Sequence, residues 1–116
     1  MKKDNSDKIW LESILEHIEA LESFCANLSY EEFQGDMKTR FACEKCIQNI
    51  SEASDNLTKE FKLEFKEFPW VQIKGMRNIL VHEYFRIDYR IVWDAIQNFV
   101  PTLKSQVREV LNSYLL

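Results

Sequence analysis

The chain has 116 residues, 46% of them hydrophobic and 13% aromatic, which suits one domain over 1–116 with a real core and leaves too little chain for two. Only two glycines and two prolines occur, too few for the many tight turns of an all-β fold, so the composition leans to all-α. A net charge of −4 disfavours a surface that holds nucleic acid through a uniformly basic face, while leaving room for a local basic patch.

The opening "MKKDNSDKIW" lacks the apolar region of a secretory signal. No apolar run approaches the roughly 18 residues of a membrane span. Three cysteines, an odd number without a signal peptide, point to a reducing compartment. The expectation is a soluble cytoplasmic protein.

From Ile9 to Leu28 apolar residues recur in steps of three and four (Leu11, Ile14, Ile18, Leu21, Cys25, Leu28), a helical stripe that Asn5, Ser6 or Asp7 can cap. "SYEE" reads as a capping box, with Ser29 at the cap and Glu32 three positions on, and starts a short helix ending by Gly35. A long helix is predicted from Thr39 to Phe61, buried along Cys43, Cys46 or Ile47, Ile50, Ala53 or Ser54, Leu57 and Phe61. "KEFKLEFKEF" reads as its end and a loop. Pro69 suits the first turn of the next helix, with Trp70, Ile73, Met76, Leu80 and Tyr84 inward. Asp88 can cap a further helix carrying Ile91, Val92, Ala95, Ile96 and Phe99. Pro101 is read as restarting the chain in a last one with Leu103, Val107, Val110, Leu111 and Tyr114. The expected architecture is an antiparallel bundle of four to five helices.

Little of the sequence carries chemistry. Cys43 and Cys46 form a lone C-x-x-C without the second ligand pair of a zinc site, so they read as core cysteines. His17 stands among glutamates and reads as a rim residue. No metal, phosphate-loop or nucleophile-elbow motif is present, and no cofactor is expected.

The exception is "KGMRNILVHEYFRID", 74–88. It lies in the one clearly basic zone, with Lys74, Arg77, Arg86 and Arg90 against Glu83 and Asp88. Histidine exchanges protons near neutrality, and arginine offers a fixed fork of donors for a phosphate. Asn78 can orient either the imidazole or a substrate. These groups suffice for metal-free RNA cleavage: a base takes the 2′-hydroxyl proton, the oxygen attacks its own phosphate, and an acid protonates the leaving 5′-oxygen. The shortage of carboxylates nearby in sequence argues against a two-metal nuclease. Arg77 and His82 are five residues apart, so a straight helix separates them by about 140°. Convergence on one phosphate then needs a helix end, a bend or a second subunit. Equally, the same residues can serve packing alone.

The run "PWVQIKGMRNILVHEYFRIDYRIVWDAI" resembles the HepT-like toxins of the HEPN superfamily. Their R-x4-H-x-Y motif falls on Arg77, His82 and Tyr84, with Asn78 as the polar residue after the arginine. "YEEF", "TRFACEKCIQNISEA" and "PTLKSQV" extend the likeness over nearly the whole chain. Ser51 departs from the glycine often found before the glutamate that is Glu52 here, a difference expected to affect packing more than chemistry. The resemblance implies a HEPN-type bundle, a homodimer whose two motifs line a shared cleft, and a metal-independent endoribonuclease acting as a toxin. It also implies a nucleotidyltransferase antitoxin that attaches AMP to Tyr84. His82 would be the acid/base group and Arg77 the phosphate ligand, with Asn78 in support and Lys74, Arg86 and Arg90 steering RNA. The alternative implied is a non-catalytic HEPN module that binds a nucleotide or the nucleotidyltransferase.

Overall fold

The apolar stripe of α1 (Asn5–Cys25) seeds the core: Leu11, Ile14, Ile18 and Leu21 are each no more than 1% exposed. The computed structural model describes residues 5–82 and 87–114, and within them the chain forms helices alone. α2 (Tyr30–Gly35), α3 (Met37–Asp55), α4 (Lys59–Glu64), α5 (Trp70–His82) and α6 (Tyr89–Ser113) follow. α1 packs on α3 and α6, and α5 packs on α3. The smallest dimension is 19 Å, about two helix diameters, so the bundle is two layers thick. Among the described residues no helix is long and apolar enough to cross a membrane.

The caps follow local chemistry. The Ser29 hydroxyl accepts the Glu32 amide at 3.1 Å, and the Glu32 carboxylate accepts the Ser29 amide at 2.9 Å, the expected capping box. Asp36 caps α3 by accepting the Thr39 hydroxyl at 2.7 Å and its amide at 3.3 Å. α1 begins earlier than its stripe suggests. Asp7 sits inside its first turn, 3% exposed, and accepts both the Thr58 amide at 2.8 Å and the Thr58 hydroxyl at 2.7 Å.

That contact marks the first departure from the sequence expectation. The helix predicted over 39–61 stops at Asp55, and Thr58 caps the separate α4 by accepting the Phe61 amide at 3.1 Å. Leu57 and Phe61 stay buried across the break, so the apolar rhythm continues where the backbone does not. "KEFKLE" is therefore a helix rather than a loop. Beyond it Phe61, Phe65, Phe68 and Trp70 form an aromatic elbow with ring centroids 4.6–6.2 Å apart. The Trp70 indole N–H donates to the Phe65 carbonyl at 3.0 Å, fixing the start of α5.

Pro101 lies inside α6 rather than starting a new helix. It withholds one N–H from the carbonyl four residues back, on Gln97. Gln97 and Pro101 are both exposed, so water can satisfy that carbonyl. The buried series Val92, Ala95, Ile96, Val100, Leu103, Val107 and Val110 runs through in register and holds the helix together. Ile91, apolar though it is, is 43% exposed. Ser51 is 2% exposed within α3, a packing position as anticipated.

Candidate functional site

α5 buries Ile73, Met76 and Leu80 and turns Lys74, Arg77 and Asn78 outward. Arg77, four residues after Ile73 and so about 40° from it around the axis, stands exposed at the flank of that buried stripe. Its guanidinium has no hydrogen bond or ion pair among the described residues. It opens on a cleft of about 390 Å³ lined also by Gln48, Glu52 and Asp55 of α3. Those three stand at i, i+4 and i+7, one outward polar face of a helix whose other face is core. Two carboxylates thus share the cleft of the motif arginine. The apparent shortage of carboxylates was a shortage in sequence distance only. Among the described residues no group of three or more His, Cys, Asp or Glu could hold a metal ion.

α5 is α-helical without interruption from Trp70 through His82. Arg77 and His82 therefore keep their separation of about 140° around the axis. The placement of the His82 side chain, and all of Tyr84 and Arg86, lie outside the described residues. Lys74 is exposed one turn before Arg77 and Asn78. Arg90 is more engaged: it pairs with Asp94 at 3.4 Å and lies 4.6 Å over the Tyr30 ring.

The comparisons bear on what this cleft is. The Ribonuclease HepT-like family model matches residues 14–110. The chain is 36% identical over 110 residues to the "Probable ribonuclease HepT" of Thermococcus cleftensis, covering 95% of this chain and 98% of that protein. It is 40% identical over 102 residues to a protein of Caldanaerobacter subterraneus subsp. tengcongensis provisionally named an RNase, covering 88% and 91%. No solved structure matches. The chain belongs to the HepT-like ribonuclease family.

In this HepT-like chain both ends of the motif-bearing segment are anchored. The aromatic elbow holds the start of α5. At the start of α6, Asp88 caps by accepting the Arg90 amide at 3.0 Å, and the Tyr89 hydroxyl donates to the Glu44 carboxylate at 2.6 Å. The Arg40 guanidinium lies 4.9 Å over the Tyr89 ring. Burial, and then the hydrogen bond to Glu44, push the Tyr89 phenol above its ordinary range. Phe33 and Trp93, 5.1 Å apart, back this corner.

The three cysteines and His17 are engaged within the fold. Cys25, Cys43 and Cys46 are buried free thiols, with the Cys25 and Cys43 sulfurs 3.5 Å apart. The hydrogen bond that Cys43 donates to Cys25, and then burial, push Cys43 upward; burial raises Cys46. His17 is half-buried between α1 and α3. Its Nδ1–H donates to the Ser13 carbonyl at 2.8 Å and its Nε2 accepts from the Asn49 amide at 3.1 Å. It is a bridge between helices rather than a solvated rim residue.

Proposed function

We propose that this HepT-like chain is the toxin of a toxin–antitoxin pair, a metal-independent endoribonuclease that uses Arg77 and His82. The observation that carries this reading is Arg77: exposed, without a partner among the described residues, and open to a nucleotide-sized cleft in a chain of ribonuclease lineage. An arginine with no internal partner keeps its whole fork of donors for a phosphate and for the charge that builds on it during in-line attack. His82 supplies proton transfer. Asn78, exposed on the same helix, supports the pair, and Lys74, Arg86 and Arg90 steer RNA by charge.

The helix geometry favours a homodimer. With Arg77 and His82 about 140° apart on an unbroken α5, two copies around a two-fold axis let the arginine of one protomer meet the histidine of its partner. Silencing by a nucleotidyltransferase antitoxin that attaches AMP to Tyr84 follows the same logic. The adduct adds bulk and phosphate charge two residues from His82, where an RNA phosphate must sit.

Induced expression is expected to arrest growth, and co-expression of the nucleotidyltransferase to relieve the arrest with a mass increase of one adenylate on Tyr84. Purified protein should cleave RNA in the presence of EDTA, and Arg77→Ala and His82→Ala should each abolish cleavage while far-UV circular dichroism stays helical. Cleavage that persists unchanged in both variants overturns the assignment.

A further inference from the structure

In-line cleavage of RNA requires a base that reaches the 2′-hydroxyl while the adjacent phosphate is held. Attacking oxygen and phosphorus stand about 3–3.5 Å apart in a reactive geometry. The base must therefore line the same cleft as the phosphate-binding arginine. In the cleft of Arg77 the described proton acceptors of suitable chemistry are the carboxylates of Glu52 and Asp55, since the Gln48 amide is no base. His82 of the same chain stands about 140° further round α5, and the His82 of a second protomer is assigned below to the acid. His17 lines a neighbouring crevice of about 180 Å³ that also touches Glu52, but both its ring nitrogens are already hydrogen-bonded.

We propose that Glu52 is the general base of the cleavage step. The proposal rests on the ribonuclease reading above and names a residue that reading did not include. Glu52 is exposed, has no side-chain partner among the described residues, and is one methylene longer than Asp55 toward a substrate held by Arg77. Its neighbours with charge or titratable groups are Arg77 from α5, Asp55 from its own helix and His17 from α1. Of these Arg77 alone carries a fixed positive charge. It holds the phosphate and offsets the repulsion between phosphate and carboxylate.

In the step itself the Glu52 carboxylate takes the 2′-hydroxyl proton as the bond from that oxygen to phosphorus forms. The bond from phosphorus to the 5′-oxygen breaks, and the leaving oxygen takes a proton from the imidazolium of His82 of the second protomer. The products are a 2′,3′-cyclic phosphate and a 5′-hydroxyl, with one proton moved from substrate to Glu52 and one from His82 to product. Each cleft then needs one histidine and one glutamate.

The test compares purified full-length parent, Glu52→Gln, Asp55→Asn, Arg77→Ala, His82→Ala and the remote control Glu12→Gln on a single-stranded RNA, with kcat and KM measured across pH. Glu52→Gln is expected to lower kcat by about 10²–10⁴-fold with KM changed less than about threefold, and to abolish the fall of kcat on acidification. It should still bind an all-2′-deoxy analogue as tightly as the parent does. Glu12→Gln should match the parent. If Arg77→Ala and His82→Ala are inactive while Glu52→Gln retains rate and acid limb, the Glu52 proposal falls and the ribonuclease reading stands. A loss confined to Asp55→Asn also overturns it. If the parent leaves RNA intact, both fall together.

Discussion

His17 and Arg77 stand on opposite sides of Glu52, in two openings of the same helix surface, and the structure treats them differently. His17 is half-buried and spends both ring nitrogens on protein partners, Ser13 and Asn49. Arg77 is exposed and keeps all its donors free among the described residues. Both are polar residues beside an acidic α3, and residue type alone marks the histidine as the more interesting. The difference teaches that a side chain already satisfied by the fold is part of the fold. One held in place with its hydrogen-bonding capacity unspent is available to a ligand.

The largest effect that tests this contrast is Arg77→Lys. The charge stays, but a point ammonium replaces the planar fork. Cleavage should fall by about 10²–10³-fold, the cost typical of losing a donor aimed at developing charge. Chemical denaturation should move by less than about 0.5 kcal/mol, as for an exposed residue with no partner among the described residues. Comparable losses of activity and stability would mean Arg77 is held by the fold after all.

His17→Ala is the mirror experiment. It removes two hydrogen bonds between half-buried groups and leaves Asn49 without its acceptor. The unfolding free energy should drop by about 1–2 kcal/mol, read as a shifted urea midpoint with unchanged slope. RNA cleavage should stay within about threefold of the parent. An activity loss larger than the stability loss would move His17 from scaffold to site.

Much of the scaffold was legible because it is local. The stripe through Leu11, Ile14, Ile18 and Leu21, the Ser29–Glu32 capping box and the Asp88 cap each need only a few consecutive residues. The break after Asp55 was hidden because Leu57 and Phe61 keep helical spacing across it while Thr58 turns the backbone. The signal was Thr58 itself, a cap residue inside an apolar rhythm. Pro101 misled in the other direction. It reads as a helix start, yet with Gln97 also at the surface the helix carries on through it. The cleft was the least legible part. Glu52 and Asp55 precede Arg77 by more than twenty residues, and only the packing of α5 on α3 brings them together. The outward spacing of Gln48, Glu52 and Asp55 was visible as a polar stripe, but nothing local says which helix that stripe faces.

Asp36 separates exposure from freedom, the two properties that His17 and Arg77 leave entangled. It is fully exposed, as an available group would be, yet both carboxylate oxygens are engaged by Thr39. The hydrogen bond from the Thr39 hydroxyl, and then that from its amide, hold the Asp36 carboxyl below its ordinary range. An acid whose pKa is depressed by folding stabilises the fold above its unfolded value, about 3.9 for aspartate, and loses that contribution as pH falls through the lower folded value. The effect should be the smallest of the three, because water and salt reach the group. It is read as a shift of the Thr39 amide resonance and loss of its exchange protection below the ordinary aspartate range, while Asp36→Asn flattens the titration. If Thr39 instead titrates at the ordinary value, exposure alone would govern how these polar groups behave, and the contrast between His17 and Arg77 would reduce to one of burial.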